Sequence, residues 1–74
     1  MAMIKNFSDL NEAEILSLAI SAEEEDAQIY ASFANKVRAD YPASAQMFDE
    51  MVSEEQKHKN MLLDMFHQKY GSQL

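Results

Sequence analysis

The segment Glu55-Gln56-Lys57-His58 sets a carboxylate and an imidazole three residues apart. On a helix that spacing projects both from one face, within reach of one metal ion. Glu23 is a second ligand-type carboxylate, set inside an otherwise apolar periodic run. Cys is absent, so thiolate metal sites and disulfides are excluded. Any metal must then be held by oxygen and imidazole nitrogen, a donor set that suits iron or manganese and also zinc. A lone Glu-x-x-His pair is more often a surface pair. The case for chemistry rests on what positions these three residues together.

Two helices position them. Asn11 with Glu14 three residues later has the reciprocal spacing of a capping box, which starts a helix at about residue 12. The helical pattern then runs without a breaker to about Arg38, where Lys36 and Arg38 place cations at a helix C-terminus. Asp40-Tyr41-Pro42 is the one internal break, and Pro favours the first helical position. A second helix is therefore expected from about 42 to 69, with Gly71 as its cap. The fold class is all-α: a single antiparallel helical hairpin over residues 1–74, with residues 1–10 as a short lead-in.

In the first helix the apolar stripe is Leu16, Ala19, Ile20, Ala27, Tyr30, Phe33, Ala34 and Val37, and Glu23 falls inside it. In the second it is Phe48, Met51, Leu62, Met65 and Phe66, with Glu55 and His58 filling the gap in its middle. Counted from the turn, Glu23, Glu55 and His58 all lie about 15–18 residues away, near one height about 25 Å along the hairpin. Buried carboxylates at one level need protons or a cation to compensate them. Four-helix di-metal carboxylate proteins take one Glu from each of two helices and a Glu-x-x-His pair from each of the other two. This chain supplies half of that set, and a two-fold dimer doubles it.

Other residues have plainer readings. Glu24, Glu25 and Glu54 are neighbouring carboxylates that compete for the same assignment, and Glu54 is a candidate auxiliary metal contact. Asp26 is either a carboxylate beside the ligands or a solvated one. Tyr30 is either a core aromatic or a hydrogen-bond partner of a ligand. His67, in the last turn of the second helix, is expected to be exposed, and Tyr41 to pack over the turn. Met47, Met51, Met61 and Met65 read as core filler, since thioethers suit softer metals.

The composition bounds the rest. A 74-residue chain without disulfides buries its core poorly alone and usually needs a metal or a partner subunit. A net charge of −7 argues against nucleic acid and against an anionic membrane surface as partners. No run approaches the ~18 apolar residues of a membrane span, and Met1-Ala2-Met3-Ile4-Lys5 lacks a signal-peptide core, so a cytoplasmic location is the default expectation.

With Tyr30 seven residues after Glu23, then Phe33-Ala34 and Glu55-x-x-His58, the chain resembles the first helix pair of rubrerythrins and other ferritin-like proteins. Phe7-Ser8-Asp9-Leu10, Ala22-Glu23-Glu24-Glu25-Asp26, Arg38-Ala39-Asp40-Tyr41-Pro42-Ala43-Ser44 and Glu54-Glu55-x-x-His58 are more closely similar to the start of membrane-bound ferritins. In those, a rubrerythrin-like domain is fused to a membrane domain of the vacuolar iron transporter type. The resemblance implies a ferroxidase-type centre at which two ferrous ions are oxidised by dioxygen or peroxide. It implies Glu23, Glu55 and His58 as catalytic metal ligands with Tyr30 beside them, and two iron ions per dimer, which manganese or zinc can replace. One helix pair stands here where the family has two, which makes the sequence either a fragment of a longer protein with a membrane iron-transporter domain or a natural short protein. The expected assembly is a homodimer or a larger ring of dimers, and encapsulated ferritins, which also form their site between two-helix chains, are a precedent for the short protein. The competing expectations are a metal-binding module without turnover and a purely structural hairpin that dimerises.

Overall fold

The computed structural model describes residues 9–71, so most of the expected lead-in lies outside the described residues. The helix α1 spans Glu12–Val37 and α2 spans Pro42–Tyr70, and they pack against each other as an antiparallel hairpin. Among the described residues no helix is long and apolar enough to cross a membrane.

The start of α1 is held as its sequence predicts. The Glu14 amide donates to Asn11 Oδ1 at 2.8 Å, and the Asn11 amide donates to Glu14 Oε1 at 3.1 Å. Two of the amides that a helix N-terminus leaves unpaired are thereby satisfied. Pro42 opens α2, where its missing N–H costs nothing. Gly71 ends α2 at φ 87°, a value that favours glycine, and its amide closes on the His67 carbonyl at 3.0 Å.

Lys36 and Arg38 stand at the C-terminal end of α1 as expected. The Arg38 guanidinium also makes a two-pronged pair with Asp49, both donor distances 3.0 Å. A planar fork matched to a carboxylate is the stronger use of an arginine. Tyr41, expected over the turn, is 64% exposed, because the residue before a proline is held out of the helical region, here at φ −136° and ψ 69°.

The inner face of each helix is a run with alternating spacings of three and four. In α1 it is Ala13, Leu16, Ile20, Glu23, Ala27, Tyr30, Ala34 and Val37; in α2 it is Ala45, Phe48, Val52, Glu55, Lys59, Leu62 and Phe66. Every one of these is buried or half-buried. Away from the turn, Leu16, Ile20 and Phe66 form the core with Leu62 and Leu63 against them. Nearer the turn the contact narrows to Ala34 and Ala45, both with no exposed surface, so the backbones approach closely. Tyr30, Phe33 and Phe48 form a ring cluster with centroids 5.4–6.4 Å apart. At the far end Glu12 takes an ion pair from Lys69 at 2.8 Å and a hydrogen bond from the Tyr70 hydroxyl.

One pair of helices is a single layer, and much apolar surface stays uncovered. Ile15, Leu18, Ile29, Phe33, Met47, Met61 and Met65 are all exposed. Soluble domains bury such faces against a second layer.

Candidate metal centre

Glu23 occupies the middle of the inner face of α1, between Ile20 and Ala27. Glu55 does the same in α2, between Val52 and Lys59. Both positions follow from periodicity: on that face any residue type is carried into the seam. His58 lies three residues after Glu55 and leans to the seam's edge. The structure brings all three together, with one ligand atom from each lying within 4.8 Å of the others. His58 Nδ1 is 3.5 Å from Glu23 Oε2 and 4.0 Å from Glu55 Oε1. The two carboxylate side chains are 24% and 18% exposed, whereas the imidazole is 52% exposed.

The electrostatics are unfavourable for the protein alone. Glu23 Oε2 is buried and takes no hydrogen bond from any described donor. The Glu55 carboxyl is pushed above the ordinary carboxylate range, first by hydrogen bonding to Glu23, which a protonated Glu55 can make. Burial raises it further, as do the charges of Glu23 and Asp26, while His58 offsets part of the effect. Two half-buried carboxylates with one orphan oxygen lack positive charge between them. A metal cation supplies it, and two carboxylates with an imidazole nitrogen fit iron, manganese or zinc. Three protein ligands leave coordination positions open to water, to the second oxygen of either carboxylate, or to a further chain.

The other expected residues divide. Asp26 is exposed, yet near enough for its charge to act on Glu55. Glu54 turns to Lys57 at 3.4 Å rather than to the cluster. Tyr30 is held by its ring, stacked on Phe48, and among the described residues its hydroxyl makes no hydrogen bond to Glu23, Glu55 or His58. His67 is exposed as expected.

Lys59, which the sequence analysis passed over, belongs to the site's surroundings. It is half-buried on the inner face of α2 and pairs with Glu24 at 3.7 Å. Its position four residues after Glu55 was the available signal, since a lysine on an otherwise apolar seam needs a partner.

Against this geometry stand the comparisons with known proteins. The family model described as Rubrerythrin matches residues 14–74. Neither the curated proteins nor the solved structures contain a match to the chain.

Proposed function

The chain belongs to the rubrerythrin family, and from that premise we propose that two copies pair to form a di-iron carboxylate site that binds and oxidises ferrous iron. The observation that carries the proposal is the convergence of Glu23, Glu55 and His58, with a buried Glu23 oxygen that accepts no hydrogen bond among the described residues. Family membership supports it, because rubrerythrins use such carboxylate and histidine ligands.

A second copy meets three needs at once. It doubles the ligand set to four carboxylates and two imidazoles, as di-iron bundles require. It covers the exposed apolar residues Ile29, Phe33, Met47, Met61 and Met65. It also shields the half-exposed His58 from water, which strengthens every electrostatic interaction at the site.

The surface for that second copy is a further pair of rows. On α1, one residue before the inner face, run Ala19, Ala22, Asp26, Ile29 and Phe33; on α2 run Met47, Met51, Glu54, His58, Met61 and Met65. Spacings alternate between three and four throughout, the pattern of a helix–helix seam. Their polar members, Asp26, Glu54 and His58, fall at the height of Glu23 and Glu55. In a four-helix bundle built on these rows, the ionisable groups of both seams would share one level.

In this function Glu23 and Glu55 neutralise and orient the metal ions, and His58 offers its Nδ1 lone pair. Glu55 ligates as the ionised carboxylate, so the environment that favours its protonated form opposes metal binding. When bound, the ferrous pair supplies the two electrons that reduce peroxide, or dioxygen to the peroxide level.

Native mass spectrometry with and without Fe(II) tests the proposal. Wild type is expected as a dimer holding about two iron ions. His58→Ala and Glu55→Ala are expected to lose stoichiometric binding. Iron binding by His58→Ala equal to wild type would remove the histidine from the site. A dimer indifferent to iron would make the chain a structural hairpin.

A further inference from the structure

Lys59 is the one cation on either inner face, and it follows Glu55 by one turn of α2. A glutamate with a lysine four residues later is the favoured order for an ion pair along a helix, since both side chains lie on one face. Among the described residues that pair is not made. The Lys59 ammonium crosses to α1 instead and meets Glu24 Oε2 at 3.7 Å, with no ion pair to Glu55 or Glu23.

Packing does not force that choice. Beside Lys59 lies a cleft of about 230 Å³, walled by Glu23 and Glu24 and floored by Ala27, Ala31 and Val52. A lysine carries its charge on a flexible four-carbon stem, and the cleft gives it room to swing. Glu24 is at one end of its reach. At the other are Glu55, one turn back, and the part of Glu23 that lines the cleft. At Glu24, which is 56% exposed, the ammonium keeps its contact with water, as a lysine head does best. Without Glu24, the nearest negative charges within reach are the two ligand carboxylates. An ammonium settled there neutralises them, and its three N–H groups occupy oxygens that a metal ion needs.

We propose that Glu24 is a positioning residue for metal loading: it holds the Lys59 ammonium across the seam, so that Glu23 and Glu55 stay open to a cation. The inference rests on the metal-site reading above. It gives the middle one of three consecutive glutamates a role that its neighbours do not share. Glu23 faces the cluster, and Glu25 is exposed and makes no ion pair among the described residues.

The test is a double-mutant cycle in Fe(II) affinity, measured without oxygen by competition with a chromophoric chelator. Glu24→Gln and Lys59→Met both keep side-chain length, and circular dichroism checks that helix content is unchanged. Should Lys59→Met fold poorly, Lys59→Gln takes its place in the cycle. Glu24→Gln is expected to weaken Fe(II) binding about tenfold, because the freed ammonium settles on the ligand carboxylates. Lys59→Met is expected to bind at least as tightly as wild type. In the double variant the loss disappears, and affinity lies within about twofold of that of Lys59→Met. Glu25→Gln removes the same charge one residue on without freeing a lysine, and is expected to stay within about twofold of wild type. A tenfold loss that persists in the double variant would show that Glu24 acts without Lys59. Unchanged affinity in Glu24→Gln would show that Lys59 has no access to the cluster. Either result overturns the proposal and leaves the metal site standing, whereas wild type that binds no iron overturns both.

Discussion

Glu23 and Glu55 are costly side chains for a hairpin of this size. Each displaces an apolar residue from a seam that is otherwise apolar or aromatic except for Lys59, which is taken up by Glu24, and they face each other with too little positive charge between them. Replacing a poorly compensated buried charge by a hydrophobic residue of similar volume is commonly neutral or stabilising. Glu55→Leu is therefore expected to raise the melting temperature of the metal-free protein while abolishing iron binding. A metal-free melting temperature at or below that of wild type would show that the carboxylate is well compensated by the protein itself. The convergence of the three residues was legible in the sequence because they share one height and interrupt two facing apolar stripes, which is a matter of counting. Lys59 was not, because its partner Glu24 lies on the other helix and is one of several acidic residues in a row. Periodicity places a side chain on a face, but it does not say which of three consecutive glutamates a lysine will meet.

The helices themselves were written in local signals: the Asn11–Glu14 box, Pro42, Gly71 and the stripes between them. What local signals could not show is how the far end of the hairpin is tied, since Glu12 and Lys69 are separated by almost the whole chain. That tie has a definite pH dependence. Hydrogen bonding from Lys69, then from Tyr70, holds the Glu12 carboxyl below its ordinary value of 4.5. Its contribution is therefore present above that value and is lost as pH falls through the lower, folded one. Hydrogen bonding to Glu12 raises Lys69 above 10.5 and Tyr70 above 10.0. Their contribution is present below those values and is lost as pH rises through the folded ones. The tie thus acts from mildly acid to mildly alkaline pH and fails at both extremes. Urea titrations of wild type and Glu12→Gln are expected to differ by a small, constant midpoint shift across that window and to converge outside it. A difference that stayed constant from acid to alkali would mean that the charges contribute nothing. All the members are solvent-exposed, so the shift should also shrink with added salt.

At the scale of the whole molecule, the sequence stripes and the structure part company in an informative way. Phe33 and Met65 were read as parts of the buried stripes, yet each is close to half exposed in the hairpin. They belong to the outer rows, and periodicity alone could not separate two adjacent seams on one helix, which together form a single broad apolar arc. Met61 tests what that second seam is for. At 66% exposed it is the most exposed methionine of the row, and Met and Lys have similar helix propensities. In a hairpin that stays single, Met61→Lys is a surface change worth no more than about 0.5 kcal/mol. In a dimer that seats a partner on the methionine row, it drives an ammonium into an apolar seam, a burial that costs several kcal/mol without a partner charge. It also adds a positive charge three residues from His58, on the same face. Each copy already carries a charge of −7, so a dimer would depend on its apolar rows, and on bound cations, to hold two acidic chains together. Sedimentation velocity is expected to show wild type at the dimer mass and Met61→Lys at the monomer mass, with helix content unchanged. Iron binding should weaken in parallel, because half of each ligand set then comes from a chain that is no longer there. If Met61→Lys remained a dimer with full iron content, the methionine row would face solvent in the assembly, and the second copy would have to sit on another face of the hairpin.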